Sequence, residues 1–297
     1  MKFRGSLVAM VTPFRDGNLD EEGIRTLVDF HLESGTHGIV ACGTTGESPT
    51  LSHDEHDRVV ALVVEHVNGR IPVVAGSGSN STIEAIQRTK FAKKAGADAA
   101  LLVSPYYNKP SQEGLYLHFR AVAEAVDIPI ILYNVPGRTV VPIAPETMAR
   151  LAEVPNIIGV KEATGNISNT CEIISQCPED FIVLSGDDFV TLPMMMMGAV
   201  GTITVTANVA PADVAGMCQA QLDGDFERAK ALHYKMWELN RMMFVETNPI
   251  PVKATLAIMG KIGPEYRLPL CPPSAENTKK LEAFAKSYGL VGEAVVA

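Results

Sequence analysis

The stretch IIGVKEATG (157–165) combines a β-strand pattern with a lysine. Its first four residues, IIGV, suit a strand that is buried on both faces, and ATG suits the turn that follows. Between them stands Lys161, whose ammonium is one of the costliest groups to remove from water. A lysine in this position either forms an ion pair with a buried carboxylate or takes part in catalysis.

Similar apolar runs recur along the chain, and segments with helical periodicity separate them. The eight runs are 5–13, 37–46, 71–79, 99–107, 128–136, 157–165, 181–188 and 199–209. Continuous apolar strands that alternate with helices predict parallel strands joined by crossover helices. Eight such units predict a closed (β/α)₈ barrel, an α/β TIM barrel. An open doubly wound sheet is the competing fold, but the chain has no GxGxxG after its first strand and no P-loop.

Several of the predicted helices between the strands end in a Gly or a Pro-bearing turn, as helix stops do. They are Glu21–Ser34, His53–Val67, Thr82–Ala95, Ser111–Ala125 and Ala144–Glu153. After the last run the chain continues to residue 297, which is more than one closing helix needs. Because Asp225–Met243 and Asn277–Tyr288 are helical in pattern, we predict a catalytic barrel over 1–224 and a small helical domain over 225–297.

Composition narrows the classes of function. The chain is 46% hydrophobic and 20% charged, as in globular enzymes, and its formal net charge is −9. An acidic chain lacks the basic surface that nucleic acid and anionic membranes require, so neither is an expected partner. The apolar runs fall short of the ~20 residues that span a bilayer.

Compartment is predicted from the N-terminus and the cysteines. MKFRGSLVAMVTPF has a short apolar run that ends at Pro13, which suits a first strand better than a signal peptide. The five cysteines are widely spaced and form no CxxC, so the pattern predicts free thiols rather than disulfides or a zinc site. These features predict a cytoplasmic protein without a metal.

In a (β/α)₈ barrel the active site forms at the carboxyl ends of the strands. Segments with polar or glycine-rich sequences stand at these ends in the predicted strands. They are GTTGES (43–48), SPYYNKP (104–110), YNVPGRT (133–139), the end of 157–165, SGDD (185–188) and GTITVTAN (201–208). The side chains of these segments are therefore the candidates for chemistry.

Lys161 is the first candidate. Most other lysines lie in helix-like or loop segments, where a solvated position is the default. A buried ion pair with Glu162 is one interpretation, but adjacent strand residues point to opposite sides, so Glu162 is expected to point away from the pocket. The functional interpretation is an amine kept uncharged by desolvation, which attacks a carbonyl and forms a Schiff base.

Neighbouring segments offer groups that such chemistry needs. Tyr133 ends the fifth run and is either a proton shuttle for Schiff-base formation or a core tyrosine. Thr44 and Thr45 lie in a turn whose hydroxyl and N–H groups suit a carboxylate. Arg138 is either a bidentate carboxylate ligand or a surface ion-pair partner.

Taken together, these motifs identify a family resemblance. GTTGES, SPYYNKP, YNVPGRT, GVKEATGN (159–166) and NPIPVK (248–253) resemble the dihydrodipicolinate synthase family, in order and spacing, over essentially the whole chain. This family is part of the pyruvate-dependent class I aldolase group, which includes N-acetylneuraminate lyase. The arginine of YNVPGRT is the feature that separates the synthases from the sialic-acid lyases.

The resemblance implies a reaction. Lys161 forms a Schiff base with pyruvate, and the derived enamine attacks the aldehyde of L-aspartate 4-semialdehyde. The product is 4-hydroxy-tetrahydrodipicolinate, formed in the first committed step of lysine (diaminopimelate) biosynthesis. No metal and no organic cofactor are implied, because the lysine itself acts as the electron sink.

The resemblance also implies roles for individual residues. Tyr133 exchanges the protons, and Thr44 and Tyr107 complete its relay. In the family the equivalent of Tyr107 comes from a neighbouring subunit, so a homo-oligomer is implied, commonly a dimer of dimers (a homotetramer).

The substrate carboxylates have implied binding residues of their own. Thr45 binds the pyruvate carboxylate, with a contribution from the backbone of Ile203. Arg138 holds the carboxylate of the aldehyde substrate, and Gly186 lies near it.

A second site is implied for feedback inhibition. On residue pattern alone, His53 and His56 are either a metal pair short of ligands or part of a solvated helix face. The positions that match the family's inhibitory L-lysine site are Ser48, Pro49, His53, His56, Asn80, Glu84 and Tyr106. Glu84 is the implied partner of the lysine ammonium. Position 49 is proline where sensitive members often carry a small residue such as alanine, and the family's contact there is mainly through the backbone.

Two other functions remain open from the sequence alone. One is a related pyruvate-dependent aldolase or lyase that acts on a sugar acid, against which Arg138 argues. The other is a non-catalytic barrel that binds a small molecule, against which the set of Lys161, Tyr133, Thr44 and Tyr107 argues.

Overall fold

The computed structural model describes residues 2–291. A closed barrel of parallel strands forms its centre, which confirms the predicted (β/α)₈ fold. All the barrel strands are completely or almost completely buried. In chain order the strands are β1 (Gly5–Ala9), β4 (Gly38–Ala41), β5 (Val73–Gly76), β6 (Ala99–Val103), β7 (Ile130–Asn134), β8 (Ile157–Glu162), β9 (Ile182–Ser185) and β10 (Gly201–Thr204), with β2 (Phe14–Arg15) and β3 (Asn18–Leu19) as a small antiparallel hairpin beside them.

Helices connect the strands on the outside of the barrel. They are α1 (Glu21–Glu33), α2 (His53–Val67), α3 (Thr82–Ala95), α4 (Gln112–Ala125), α5 (Pro136–Thr139), α6 (Pro145–Ala152), α7 (Ile167–Gln176), α8 (Thr191–Met196) and α9 (Pro211–Leu222). The C-terminal part adds α10 (Phe226–Lys235), α11 (Trp237–Met243), α12 (Ile250–Ile258) and α13 (Ala275–Tyr288). The segment predicted as one helix over Asp225–Met243 is thus two helices that meet at Met236.

Local signals explain where the helices begin and end. α2 begins with a capping box, in which the Ser52 hydroxyl accepts the N–H of Glu55 and the Glu55 carboxylate accepts the N–H of Ser52. α2 stops at Asn68, which adopts the left-handed conformation of a C-cap, and α3 stops at Gly96 in the same way. The N-cap of α2 fixes the loop that follows β4 at the carboxyl ends of the strands, whereas the two C-caps fix the loops that lead into β5 and β6.

The seam that closes the barrel needs a residue without a side chain. β1 pairs with β10, with Gly5 opposite Gly201 and Leu7 opposite Ile203. A Cβ on Gly201 would lie 2.1 Å from the carbonyl oxygen of Gly5. Glycine at position 201 therefore lets the first and last strands approach closely enough to pair.

The hydrophobic core has two layers, as a strand period of two requires. Alternate residues such as Leu7, Ile131, Leu184 and Ile203 fill the barrel interior. The intervening residues pack outward against the helices in one larger cluster. Tyr133 belongs to the interior layer, so this side of the strands is the side on which the site lies.

The C-terminal helices pack on the barrel. α12 is almost entirely buried and contacts the segment that follows β4 through Lys253. The division of the chain into domains at residue 225 stays a prediction. Within residues 2–291, no helix has the length and apolar character needed to span a membrane.

Candidate active site

Lys161 and Tyr133 lie side by side inside the barrel. β7 and β8 are in register, so that Tyr133 stands opposite Lys161, and register partners point to the same side of the sheet. Lys161 Nζ lies 4.2 Å from the centroid of the Tyr133 ring. Each of the two residues is 6% exposed. The amine of Lys161 is therefore held next to the phenol inside a largely apolar interior.

Glu162 is fully buried and has other partners. Its carboxylate accepts hydrogen bonds from Asn134 Nδ2 at 2.8 Å and from the backbone N–H of Thr164 at 2.8 Å. Burial raises the pKa of the Glu162 carboxyl, and these two donors lower it in part. Asn134 in turn accepts the N–H of Ile143 at 3.0 Å. Glu162 thus ties the turn after β8 to the loop after β7, which gives it a structural role.

Gly186 makes room for the lysine. It follows β9 directly, and an added Cβ would lie 2.9 Å from Lys161 Cε and 2.7 Å from the Cβ of Ala163. Any larger residue at this position would displace the Lys161 side chain. The structure thus places Gly186 against the side chain of Lys161.

A cavity of about 610 Å³ opens at the carboxyl ends of β4 to β7. Its volume lies in the ~300–1,000 Å³ range of small-molecule sites. Of the predicted catalytic and substrate-binding residues in the described chain, Thr44, Tyr133 and Arg138 line it, while Lys161, Tyr107, Thr45, Gly186 and Ile203 do not. Tyr133 therefore stands between the open cavity and the buried amine of Lys161.

Asn248 connects the two predicted carboxylate-binding residues, and sequence reasoning did not single it out. Its Nδ2 donates to the Thr45 hydroxyl at 3.0 Å, and its carbonyl accepts from Arg138 Nη2 at 3.2 Å. Both Thr45 and Asn248 are buried. The sequence feature that could have drawn attention to Asn248 is its position as the first residue of the motif NPIPVK. Asn248 holds Thr45 and Arg138 in a fixed relation across the site.

The GTTGES turn is also held by a buried ion pair. Lys253 of α12 donates to the carboxylate of Glu47, and the two side chains are 1% and 0% exposed. Burial lowers the pKa of the Lys253 ammonium, while the Glu47 carboxylate raises it in part. Glu47 has a left-handed backbone conformation (φ 55°) within the turn. The expectation that lysines in helix-like segments are solvated is wrong for Lys253.

The family assignment follows from comparison with known proteins. The family model described as the dihydrodipicolinate synthetase family matches residues 2–288. The chain belongs to this family. A 4-hydroxy-tetrahydrodipicolinate synthase from Thermodesulfovibrio yellowstonii is 56% identical over 289 residues, which cover 97% of this chain and 99% of that protein.

Solved structures of dihydrodipicolinate synthases share the fold closely. The enzyme from Aquifex aeolicus is 50% identical with a TM-score of 0.96, over 98% of this chain and 100% of that one. The enzyme from Acinetobacter baumannii, solved with pyruvate, is 48% identical with a TM-score of 0.95, over 97% of this chain and 99% of that one. The enzyme from Cyanidioschyzon merolae, solved with lysine bound, is 39% identical with a TM-score of 0.94, over 98% of this chain and 100% of that one.

Tyr107 is the member of the predicted catalytic set that lies away from the others. It is 91% exposed, with φ 73°, and its neighbour Tyr106 lines the cavity instead. A left-handed conformation is costly for a tyrosine and directs the side chain outward from the loop after β6. Within one chain, Tyr107 is therefore outside the site that contains Tyr133.

The residues matched to the lysine site of the dihydrodipicolinate synthase family share this cavity in part. Among the described residues, Ser48, Pro49, His53, Glu84 and Tyr106 line the cavity, whereas His56 and Asn80 do not. Asn80 Nδ2 donates to the carbonyl of Tyr106 at 3.1 Å. Thr44 and Tyr133 of the proposed catalytic set thus face the same space as these five residues.

The two histidines of α2 have different partners. His53 Nε2 lies 2.9 Å from Glu84 Oε1, and its side chain is largely exposed. His56 is buried, and its Nε2 lies 2.8 Å from the carbonyl oxygen of Gly76. Burial lowers the pKa of His56 to about 4. The neutral ring therefore donates to Gly76 and carries its acceptor on Nδ1.

Proposed function

We propose that this chain condenses pyruvate with L-aspartate 4-semialdehyde to give 4-hydroxy-tetrahydrodipicolinate, the first committed step of lysine biosynthesis through diaminopimelate. The observation that carries the proposal is the buried pair of Lys161 and Tyr133 beneath a cavity with an arginine in its wall. Membership of the dihydrodipicolinate synthase family supports the same reaction. The enzyme solved with pyruvate supports pyruvate as the first substrate.

The chemistry begins at the amine of Lys161. The amine adds to the ketone carbon of pyruvate, and loss of water gives a protonated Schiff base. Loss of a proton from the methyl carbon gives the enamine, whose carbon attacks the aldehyde. The amino group of the second substrate then adds to the Schiff-base carbon and releases the Lys161 amine. Because the iminium accepts the electron pair, no further cofactor is needed.

Protons must move at each of these steps, and Tyr133 is placed to move them. Its ring covers the Lys161 amine and it also lines the cavity, so its phenol can serve both the lysine and a substrate. Thr44 lines the same cavity and is the proposed next member of the relay. Thr45, held by Asn248, is the proposed ligand of the pyruvate carboxylate, and the backbone of Ile203 is a further proposed contribution to that pocket.

An assay with both kinds of substrate tests the proposal. We expect condensation of pyruvate with L-aspartate 4-semialdehyde to exceed cleavage of N-acetylneuraminate by several orders of magnitude in kcat/KM. A sugar-acid lyase has no need of an arginine fixed for the carboxylate of a short aldehyde. Faster cleavage of the sugar acid than condensation would refute the synthase assignment and leave the fold unaffected.

Arg138 gives the most specific test of the second substrate. A charge-assisted hydrogen bond is worth ~1.5–3 kcal/mol. We therefore expect Arg138→Gln to reduce kcat/KM for the aldehyde about 10- to 100-fold. The yield of the pyruvate adduct trapped by borohydride should stay unchanged. The control is Arg120→Gln, which removes an exposed arginine that pairs with Glu124 on α4. Equal losses in both variants would contradict the role of Arg138.

We infer that the active enzyme is a homo-oligomer, with a dimer of dimers as the proposed assembly. Tyr107 is too exposed to serve the site of its own chain, which supports its donation to a neighbouring copy. A monomeric dihydrodipicolinate synthase variant that is 44% identical, with a TM-score of 0.96 over 98% of both chains, has the same chain fold. The fold alone therefore does not fix the assembly, and the oligomer needs its own test.

Tyr107→Phe supplies that test. It removes one hydroxyl from an exposed side chain, so we expect the melting temperature to change by about 1 °C or less. If the hydroxyl completes the relay of a neighbouring subunit, turnover should fall roughly tenfold or more. Tyr234→Phe, on an exposed tyrosine of α10, is the control for both measurements. Full activity of a monomer in sedimentation-coupled assays would contradict the shared relay.

L-Lysine is the proposed inhibitor, and it would bind to the part of the cavity that Ser48, His53, Glu84 and Tyr106 line. The lysine-bound enzyme from Cyanidioschyzon merolae supports this ligand. His56 and Asn80 do not line this cavity, so their place in the proposed inhibitor site rests on the family resemblance. A cytoplasmic location is proposed on the interpretation of the cysteines as free thiols.

A further inference from the structure

Arg88 lies in the wall of the proposed regulatory part of the cavity, and no role described above includes it. It is one helical turn after Glu84 on α3, and its Nη2 lies 3.1 Å from Glu84 Oε1. The Arg88 side chain is 13% exposed, so the pair is partly removed from water. Arg88 and Glu84 both line the cavity, together with His53.

Glu84 already has three partners. Its Oε1 lies 2.9 Å from His53 Nε2 and 3.1 Å from Arg88 Nη2, and the Ser79 hydroxyl donates to its Oε2. The Ser79 hydroxyl, Arg88 and His53 together hold the pKa of Glu84 below its ordinary value. Among the described residues that line the cavity, Glu84 is the one carboxylate.

An incoming ammonium therefore meets a carboxylate that is already neutralised. It must either share Glu84 with the guanidinium, at a distance where two cations repel, or displace the guanidinium. Displacement is unfavourable because Arg88 Nε is already buried without a partner among the described residues. Moving the guanidinium would leave more of its N–H groups unpaired in a desolvated wall.

We propose that Arg88 is an internal competitor for the inhibitor's ammonium group at Glu84, and that it weakens the response of this enzyme to L-lysine. The proposal rests on the proposed regulatory role of the cavity. It makes residue 88 a determinant of inhibitor sensitivity: an uncharged residue there frees Glu84 for a ligand cation, whereas arginine occupies it from within the protein.

Arg88→Leu tests the proposal by inhibition of condensation with free L-lysine. We expect the lysine concentration for half-inhibition to fall about tenfold, which corresponds to ~1.4 kcal/mol. Arg88→Gln removes the charge but keeps a polar side chain, and should shift the curve in the same direction. The control is Arg120→Leu, because Arg120 also pairs with a glutamate four residues away, Glu124 on α4, and that more exposed pair lies outside the cavity. That control should leave the curve unchanged.

A double-mutant cycle tests the pairing itself. Glu84→Gln should raise the half-inhibiting lysine concentration much more in the Arg88→Leu background than in the parent chain, since Glu84 is available to lysine only in the former. Calorimetry with L-lysine alone measures the same shift without substrates. Condensation activity in the absence of lysine tests the proposed reaction separately.

Three outcomes would overturn the proposal. An unchanged inhibition curve in both Arg88 variants means that Arg88 does not compete for Glu84. A weaker response to lysine means that Arg88 binds the carboxylate of the inhibitor instead. No response to lysine in any variant, with condensation intact, means that the cavity is not a lysine site while the synthase reaction stands.

Discussion

Lys161→Ala abolishes condensation and the covalent adduct that borohydride traps from pyruvate. The expected loss in turnover is about 10⁴-fold or more, because no lysine lines the described cavity wall that could replace the nucleophile. The substitution replaces a long side chain in the barrel interior with a short one, so the fold should persist with a lower melting temperature. The readouts are turnover, far-UV circular dichroism and the mass of each peptide after reduction.

Lys253 makes this test sharper, because it is a second lysine that is almost completely buried. Its ammonium is paired with Glu47, which stabilises the charged form. Lys161 instead faces the ring of Tyr133 beside the cavity. We therefore expect the mass added by reduced pyruvate to appear on the peptide that contains Lys161 and not on the one that contains Lys253.

Matched variants separate loss of the nucleophile from loss of the fold. Lys235→Ala removes an exposed lysine of α10 and should retain both turnover and adduct. Lys161→Arg places another long basic side chain beside Tyr133 but cannot form a Schiff base, so it should be as inactive as Lys161→Ala. An adduct on well-folded Lys161→Ala, or appreciable turnover of that variant, would refute Schiff-base chemistry at this position.

The fold was predictable because its signals are local. Each barrel strand lies inside one of the predicted apolar runs, and α2 has the bounds that its caps and periodicity predict. The predicted runs were longer than the strands because they extended into the turns that follow them. The end of 37–46, for example, is the turn that carries Thr44 and Thr45 rather than strand. The break at Met236 has no Gly or Pro to mark it, so periodicity alone joined α10 to α11.

The site was predictable where a residue stands at the end of a strand. Lys161 and Tyr133 were found because barrel topology brings neighbouring strand ends together. Asn248 and Lys253 were not, because their partners Thr45 and Glu47 are more than 200 residues away in sequence. A lysine within the apolar segment IPVKATLAI was the available signal for Lys253. Arg88 and Glu84 have the spacing of neighbours on one helix face, so their pairing was predictable from the sequence. That both side chains line the cavity is known only from the structure.

The pairing of Glu47 with Lys253 gives the largest expected effect on stability. Removing one partner from a buried ion pair leaves an uncompensated charge and costs ~3–5 kcal/mol. We therefore expect Glu47→Gln or Lys253→Met to lower the free energy of unfolding in urea by about this amount. Since Glu47 lies in the turn between Thr45 and Ser48, KM for pyruvate should rise in both variants as well.

The double variant shows whether the pair acts as a unit. Glu47→Gln combined with Lys253→Met leaves no buried charge at this place, so it should be more stable than either single variant. Glu276→Gln is the control, because it breaks an exposed pair with Lys280 and should change stability by ~0.5 kcal/mol or less. If Glu47→Gln costs no more than Glu276→Gln, the turn is held by Asn248 and its own backbone, and α12 does not position the pyruvate site through Lys253.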